Sequence, residues 1–364
     1  MMSGSDGLEG IVAAETVLSD VDGQAGRLII RGYSLDEIAG RWTFEEVIAL
    51  LWSGFLDPLP TDMRAALGAA RAEVAVELAA LDPELAGRTP VEAMRALTAR
   101  LADGDDLATA LRLVAAPAVF TAAAVRAAKG EEPVLPDPSL SHAADILRML
   151  RGAPARAAEV AALDTYLVTV CDHGLNASTF AARVVASTLA GLTSAVLAGI
   201  SALKGPLHGG APGPVIEMLD AIGGSQNARP WLEAALDRGD RLMGFGHRIY
   251  RVRDPRADAL KRAVKALLAE FDAPPGRLEL AEAVEKAALE VLRERKPGRS
   301  LDTNVELYTA LLLEALAFPP AAFTGVFAMG RAAGWIAHAR EQVASGRLIR
   351  PASIYIGPSP RAAA

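Results

Sequence analysis

The stretch GFGHRIYRVRDPRA, residues 244–257, decides how the rest of the chain is interpreted. In it His247 lies between a pair of glycines and an arginine-rich run. Glycines beside a histidine indicate a backbone that bends or lets a ligand come close. Guanidinium groups bind carboxylates and phosphates through paired hydrogen bonds, so the run predicts an anionic ligand. Its arginines are Arg248, Arg251, Arg253 and Arg256.

Composition limits the classes of protein to consider. The chain has 364 residues, of which 51% are hydrophobic, so it has room for two domains. Its formal net charge of −7 argues against broad nucleic-acid binding. The single cysteine, Cys171, excludes an internal disulfide and favours a reducing, cytoplasmic location. The opening residues, MMSGSDGLEG, lack the basic and apolar regions of a signal peptide, so we expect none.

One uncharged segment, residues 184–203, is long enough to span a bilayer. The alternative is a buried helix or a pair of helices. The segment is rich in Ala, Gly, Ser and Thr, which lowers its hydrophobicity on insertion scales. Gly191 and Gly199 also stand where they would interrupt a long helix. We therefore favour the buried interpretation and expect no membrane partner.

Helix signals recur along the chain, while strand signals are few. A serine or threonine followed three residues later by glutamate predicts capped helix starts at Ser34, Thr43 and Thr89. Residues 277–298 predict one long amphipathic helix that ends at Lys-Pro-Gly. The segment TVLSDVDGQAGRLIIRGY, residues 16–33, predicts a small β-hairpin.

Two Pro/Gly clusters, at residues 205–214 and 318–320, bracket a region that contains the His247 motif. We interpret them as the hinges of an inserted domain. The alternative is that they are ordinary helix breakers.

The chain has five histidines, of which three lie in unusual surroundings. His142 has no feature that distinguishes it from a surface residue, and His338 is expected to pack on a helix. His173, His208 and His247 are the candidates for catalysis or binding. Their spacings of 35 and 39 residues form no short metal-ligand motif, and HExxH is absent, so we predict no metal site. The alternative is a dispersed site in which these three histidines bind one metal ion. Serine-hydrolase, Walker A and dinucleotide-binding motifs are also absent.

Three motifs together resemble those of one family, the citrate synthases, in order and in spacing. They are KGPLHGGAP (204–212), MGFGHRIYRVRDPRA (243–257) and TNVELY (303–308). The resemblance covers nearly the whole chain, from GLEGIVAAETVLSDVDGQAGRLIIRGY near its start to RPASIYIGP near its end.

The resemblance implies an all-α, two-domain fold with a minor N-terminal β-hairpin. A small helical, CoA-binding domain, residues 212–318, is expected as an insertion in a large helical domain, residues 1–211 and 319–364. The large domain is expected to form a homodimer with shared active sites, to which Arg350 contributes across the interface.

The resemblance also implies the reaction. Citrate synthases condense acetyl-CoA, a co-substrate rather than a tightly bound cofactor, with oxaloacetate and then hydrolyse the citryl-CoA thioester. By resemblance His208 donates a hydrogen bond to the thioester carbonyl, while its other ring nitrogen accepts a backbone N–H. His247 polarises the keto group and protonates the alkoxide. The residues expected to contact the oxaloacetate dianion are His173, Arg256, Phe327, Arg331 and Arg350.

The expected base departs from the family pattern. Citrate synthases usually carry aspartate in a motif like P-N-V-D-x-Y-S, where this chain has Glu306 in TNVELY. We predict Glu306 as the base, with Asp302 as the alternative. A displacement of about 1 Å can cost about 10²-fold in rate, so a weakened or repurposed enzyme is a further alternative.

The CoA site is expected mainly on the inserted domain. The backbone of residues 242–246 matches the family's adenine-recognising stretch, and Arg251 with Arg299 or Lys296 is placed for phosphates. Alternatively, residues 293–300 are a solvated helix end whose cations face the helix dipole. The predicted CoA-binding residues are Leu207, Leu242, Gly244, Phe245, Gly246, Arg251, Arg299 and Asn304.

Two other functions stay open. A 2-methylcitrate synthase would use propionyl-CoA, and one methylene in an apolar pocket changes binding by only about 1–3 kcal/mol. A non-catalytic homologue is the second, and Glu306 is the one residue in its favour.

Overall fold

The computed structural model describes residue 8 and residues 10–209, 212–247, 249–270 and 276–358. The described part is mostly helical, which confirms the predicted all-α class. Arg248 and residues 210–211, which the sequence analysis singled out, lie outside the described residues. The helices are α1 Leu35–Ile38, α2 Phe44–Trp52, α3 Met63–Val74, α4 Pro83–Ala86, α5 Pro90–Thr98, α6 Leu107–Ala127, α7 His142–Arg151, α8 Ala157–Val170, α9 Ala177–Ala186, α10 Leu192–Leu203, α11 Pro212–Ile222, α12 Ala228–Asp237, α13 Pro255–Glu270, α14 Gly276–Arg295, α15 Val305–Ala315 and α16 Phe323–Ser345, with 3₁₀ turns at Ala75–Ala80, Ser225–Asn227 and Pro320–Ala322.

The predicted N-terminal hairpin is present and carries a third strand. Strand β1 (Ser19–Asp22) pairs antiparallel with β2 (Arg27–Ile30), which pairs antiparallel with β3 (Tyr33–Ser34). The first turn forms because the Asp22 carboxylate accepts hydrogen bonds from the backbone N–H groups of residues 24 and 25, at 3.0 and 2.9 Å.

The predicted helix starts are confirmed. At Ser34, Thr43 and Thr89 the glutamate three residues later accepts a hydrogen bond from the backbone N–H of the capping residue, as a capping box requires. Helix α14 confirms the long helix predicted before Lys-Pro-Gly. These elements depend on residues close in sequence, which explains why pattern analysis finds them.

The uncharged segment 184–203 belongs to two helices. Helix α9 ends at Ala186 and α10 begins at Leu192, and Gly191 between them has φ +91°, a conformation that favours glycine. The two helices pack against each other and against α16, which confirms the helix-pair interpretation. Among the described residues a different helix, α6, is the one long and apolar enough to cross a membrane, and 89% of its apolar window is buried inside the protein.

Helices α6 and α16 form the centre of the core. Helix α6 is buried on almost every side, and α16 packs against α6, α8, α9 and α10. Helices α11–α15 pack mostly on one another, but α13 also packs against α8. This contact brings the C-terminal end of α8 beside the region of the predicted insertion, and the candidate residues gather there.

The expectation for His142 is wrong, because this side chain is fully buried at the start of α7. Its Nδ1 accepts a hydrogen bond from Arg71 Nη1 at 3.2 Å, and Arg71 pairs with Asp145 at 2.8 Å. Burial, with the Arg71 charge, holds the pKa of His142 well below its ordinary value. The sequence held no signal for this because the partner arginine is 71 positions away.

Candidate active site

A short backbone pairing places two of the candidate motifs side by side. Gly246 N–H donates to the Asp302 carbonyl at 2.7 Å, and Asn304 N–H donates to the Gly244 carbonyl at 3.0 Å. The Asn304 side chain adds a 2.8 Å bond to the Gly246 carbonyl. Gly244 and Gly246 have φ values of +86° and +80°, which explains glycine at both positions. The GFGH and TNVELY motifs therefore form one structural unit.

Asp254, which the sequence analysis did not select, joins this unit to Arg256. Its carboxylate is fully buried and accepts hydrogen bonds from Arg256 Nη2 at 2.8 Å and Nε at 3.0 Å. It also accepts the backbone N–H of Val305, at the start of α15, at 3.2 Å. Asp254 thus fixes the Arg256 guanidinium relative to the helix that carries Glu306. The sequence carried one signal for this pair, because the carboxylate of Asp254 stands two positions before the candidate Arg256.

The ring of His247 is held by its own turn. Its Nδ1 accepts the backbone N–H groups of Ile249 at 3.0 Å and Tyr250 at 3.1 Å, so Nε2 carries the proton of the neutral ring. Nε2 lies 3.3 Å from Arg256 Nη2, which is also a donor. Burial and the Arg256 charge lower the pKa of His247 to about 4. Two donors side by side define a place for an acceptor oxygen.

Glu306 lies in the first turn of α15, directly after the motif pairing. Its backbone N–H donates to the Asn304 side-chain oxygen at 3.0 Å. Burial raises the pKa of Glu306 to about 7, although the charges of Arg241 and Arg256 oppose the shift. A carboxyl with a pKa near neutrality is matched to proton transfer at neutral pH. The Asp302 carboxylate instead accepts the backbone N–H of Thr303 at 2.8 Å, beside the backbone pairing of the two motifs.

Arg331, on α16, is a buried cation. We call residues 244–256 with the start of α15 one wall of the candidate site, and residues 170–173 with α16 the other wall. Its Nε donates to the Val170 carbonyl at 2.6 Å, and its guanidinium carbon lies 4.9 Å from the ring centre of Phe327. Among the described residues no carboxylate lies within ion-pair distance of it. Burial lowers the pKa of Arg331 to about 10, so it stays charged at neutral pH. A buried, unpaired guanidinium indicates a site for an anion.

His173 connects the two walls. It is buried, its Nε2 lies 3.2 Å from the Tyr250 hydroxyl, and its ring centre is 5.5 Å from that of His247. Burial holds its pKa well below the ordinary value, and the charges of Arg256 and Arg331 act in the same direction. Tyr250 was missed by the sequence analysis, since nothing local marks its hydroxyl as a partner of His173.

His208 lies beside Phe327, with ring centres 6.2 Å apart. Its Nε2 is 2.8 Å from the Ser178 hydroxyl, so the partner is a side chain and not the expected backbone N–H. Trp335 Nε1 donates to the same hydroxyl at 3.1 Å. Burial, then the charges of Arg331 and Arg256, lower the pKa of His208 to about 4. Ser178 was not selected, although it follows the helix-capping Asn176.

The predicted CoA residues divide into buried and exposed groups. Leu242 and Phe245 pack in the core, so at these positions the backbone is what a nucleotide can reach. Leu207 is 79% exposed, and Arg251 is also exposed. Arg299 lines a small cavity of ≈ 170 Å³ together with Asp302.

Arg350 makes no hydrogen bond or ion pair with the other predicted site residues within the described part of the single chain. It lies on an exposed segment after α16, and within the described part of the chain no hydrogen bond or ion pair holds its side chain. Ile354, Tyr355 and Ile356, further along, are also exposed, at 78%, 77% and 94%.

Comparison with known proteins identifies the family of this chain. The family model for the citrate synthase C-terminal domain matches residues 7–352. A citrate synthase of Haloferax volcanii is 41% identical over 96% of this chain and 95% of its own length. A 2-methylcitrate synthase of Mycobacterium tuberculosis is 36% identical over 96% of this chain and 90% of its own. A structure of the Thermoplasma acidophilum citrate synthase, in ternary complex with carboxymethyl coenzyme A and oxaloacetate, superposes with a TM-score of 0.86 at 29% identity, covering 99% and 98% of the two chains.

Proposed function

The chain belongs to the citrate synthase family and is an acyl-transferring enzyme of that type, and on this premise we propose how its cleft condenses acetyl-CoA with oxaloacetate. The observation that carries the proposal is the buried Arg331 guanidinium with no carboxylate partner among the described residues. The other wall supplies the neighbouring donors His247 Nε2 and Arg256 Nη2, 3.3 Å apart. A keto dicarboxylate supplies what both walls lack, namely a carboxylate for Arg331 and acceptor oxygens for His247 and Arg256.

We propose that Glu306 is the base of the condensation. Its carboxylate takes a proton from the acetyl methyl, and the resulting enolate carbon bonds to the keto carbon of oxaloacetate. His247 donates its Nε2 proton to the keto oxygen as that oxygen becomes an alkoxide. Water then cleaves the thioester, which releases citrate and CoA. Glu306 suits the first step because its pKa of about 7 leaves a large ionised fraction at neutral pH.

His208 is assigned to the enolate oxygen. The Ser178 hydroxyl has one proton and two acceptors within 2.8 Å, Asn176 Oδ1 and His208 Nε2. In the proposed reactive state the Ser178 hydroxyl donates its hydrogen bond to His208 Nε2. The neutral ring then carries its own hydrogen on Nδ1, which donates to the thioester carbonyl. A pKa near 4 keeps the ring neutral throughout.

The domain division and the CoA site are parts of the same proposal. Helices α11–α15 pack mostly on one another; Arg256 and Glu306 are on α13 and α15, and His247 is on the segment between α12 and α13, whereas Arg331 is on α16. A dianion bound between them favours a closed arrangement that excludes water from the enolate. CoA is proposed to lie along the backbone of residues 242–246, with Arg251 and Arg299 at its phosphates.

We further propose that the chain works as a homodimer in the cytoplasm, with Arg350 reaching the partner's cleft. The support is that Arg350 is exposed and unengaged within the described part of its own chain. A mixed dimer of His208→Ala and Arg350→Ala chains tests this. If Arg350 acts across the interface, random pairing restores about a quarter of wild-type activity, since hybrid dimers then have one intact site. If it acts within its own chain, the mixture stays inactive.

The reaction itself is tested by release of free CoA. Purified protein with oxaloacetate is assayed first with acetyl-CoA and then with propionyl-CoA. Higher kcat/KM with acetyl-CoA supports the proposal, while higher kcat/KM with propionyl-CoA would make the protein a 2-methylcitrate synthase, like the M. tuberculosis relative. No CoA release with either would indicate a non-catalytic member of the family.

A further inference from the structure

Helix α16 holds the segment that leads to His173 at three points along one face. Arg331 Nε donates to the Val170 carbonyl at 2.6 Å. A Cβ on Gly334 would lie only 2.2 Å from the Cys171 carbonyl oxygen, so the helix touches the backbone there. His338 Nε2 lies 3.1 and 3.2 Å from the two carboxylate oxygens of Asp172. Positions 331, 334 and 338 share one helix face, so the segment follows α16 for two turns.

The protonation of His338 follows from its second contact. Its Nδ1 lies 2.9 Å from Arg183 Nη1, and a guanidinium can only donate. Nδ1 is therefore the acceptor, and Nε2 carries the hydrogen that goes to Asp172. Arg183 is itself held by Glu341 at 2.5 Å and Gln342 at 2.9 Å. This buried network leaves the imidazole one role, which is to donate to Asp172.

The Asp172 carboxylate has two possible partners, the Arg331 guanidinium and the ring N–H of His338. The carboxylate contacts α16 at Gly334, where its Oδ1 is 3.2 Å from the position that a Cβ would take. On this helix face Arg331 is three residues before Gly334, and His338 is four residues after it. The charges of Asp172 and Arg331 act on each other: Asp172 favours protonated Arg331, and Arg331 favours ionised Asp172. Yet the hydrogen-bond partner of the Asp172 carboxylate is His338 Nε2, which lies within reach of both of its oxygens.

We propose that His338 is a positioning residue that keeps the Asp172 carboxylate away from Arg331 and so leaves the Arg331 guanidinium for a substrate carboxylate. This rests on the proposed assignment of Arg331 to oxaloacetate. Without the Nε2 donor, the buried carboxylate turns to Arg331, because an unpaired buried charge is costly. Asp172 then competes with the substrate for the same guanidinium.

Two variants separate the two contacts of His338. In His338→Gln the amide nitrogen can take the place of Nε2 and donate to Asp172, whereas in His338→Asn the shorter amide can accept from Arg183 but does not reach Asp172. Oxaloacetate affinity is measured by titration calorimetry, alongside kcat and KM. His338→Asn should weaken oxaloacetate binding about 10-fold, the effect of losing a charge-assisted hydrogen bond, with kcat changed less than about 3-fold. His338→Gln should stay within about 3-fold of wild type in binding.

A second substitution distinguishes competition from general damage. Asp172→Asn in the His338→Asn background removes the competing charge, so oxaloacetate affinity should recover. A crystal structure of His338→Asn without substrate should show Asp172 in contact with the Arg331 guanidinium, and this readout does not depend on the substrate assignment. His142→Asn is the matched control, because His142 is another buried histidine that accepts from an arginine, outside the cleft. It should lower thermal stability and leave oxaloacetate binding unchanged.

The proposal is overturned if His338→Gln and His338→Asn weaken binding equally, if the double variant binds more weakly than His338→Asn, or if Asp172 keeps its position in the variant crystal. Failure of the wild type to bind oxaloacetate would instead overturn the substrate assignment, and the crystal structure would still decide whether His338 separates Asp172 from Arg331.

Discussion

The two walls of the cleft each bury an arginine, and they hold it in opposite ways. On one wall Arg256 is paired with the buried carboxylate of Asp254 through two side-chain hydrogen bonds. On the other, Arg331 bonds to a backbone carbonyl, and its nearby carboxylate, Asp172, is engaged by His338. Arg256 is hydrogen-bonded to a carboxylate within the fold, whereas Arg331 is not hydrogen-bonded to any carboxylate among the described residues.

The difference separates structural from binding roles. A buried ion pair is costly to break from either side, so Arg256 and Asp254 are expected to contribute to stability as well as to binding. A buried cation without a partner gains its partner only when an anion binds, so Arg331 is expected to contribute mainly to affinity. The proposed base, Glu306, lies on the Arg256 wall, where Asp254 accepts hydrogen bonds from both the Arg256 guanidinium and the first residue of the same helix, Val305.

The largest effect is expected at Glu306, the proposed base. Glu306→Gln keeps the size of the side chain and removes the proton acceptor, so kcat should fall by about 10²- to 10⁴-fold, the range for general-base catalysis. Oxaloacetate should still bind, because neither buried arginine is altered. Steady-state kinetics and calorimetry check both points. Asp302→Asn is the matched control and should keep most of the activity; the opposite pattern would make Asp302 the base.

The next effect compares the two arginines directly. Arg331→Gln should raise the KM for oxaloacetate about 10- to 100-fold through loss of charge-assisted hydrogen bonds, with a smaller loss of thermal stability than Arg256→Gln. Arg256→Gln should also weaken binding, but it strands the Asp254 carboxylate and should lower the free energy of unfolding by about 3–5 kcal/mol. Kinetics and denaturant titration give the two readouts. Equal stability losses in both variants would show that the walls do not differ in this way.

A smaller effect is expected from pH. Glu306 must be ionised to act, and its pKa near 7 means that protonation removes the base as the pH falls below neutrality. The kcat/KM for oxaloacetate should therefore drop about 10-fold for each pH unit below about 7. His208 and His247, with pKa values near 4, stay neutral and add no limb above about pH 5. An activity that stays constant down to pH 5 would contradict the assignment of Glu306.

The smallest effect is expected where the two walls touch. Tyr250→Phe removes the hydroxyl that lies 3.2 Å from His173 Nε2, a bond worth about 1 kcal/mol. The KM for oxaloacetate should rise about 5-fold, with kcat nearly unchanged. Tyr33→Phe, an exposed tyrosine that packs on Trp42, is the control and should have no effect. An unchanged KM in Tyr250→Phe would show that His173 does not depend on this contact.

Much of the fold could be predicted because its signals are local. Capping boxes at Ser34, Thr43 and Thr89 lie within four residues, and the hairpin turn forms around one aspartate. The candidate site was predicted in part, through motifs that contain His208, His247, Arg256 and Glu306. Tyr250 and Ser178 were missed, because a hydroxyl becomes a partner of a histidine only when distant segments meet.

The sequence by itself determined the helical class, the N-terminal hairpin, and the family motifs with the departure at Glu306. These follow from residue type and short spacing, which a chain carries before it folds. Only the tertiary structure decided which buried charges have partners. It pairs Arg256 with the Asp254 carboxylate, leaves Arg331 without a carboxylate partner among the described residues, and places His338 as the donor to Asp172. Charge balance in a buried site depends on burial and on distances between segments up to 166 positions apart, as for His338 and Asp172, and neither quantity can be read from the order of residues.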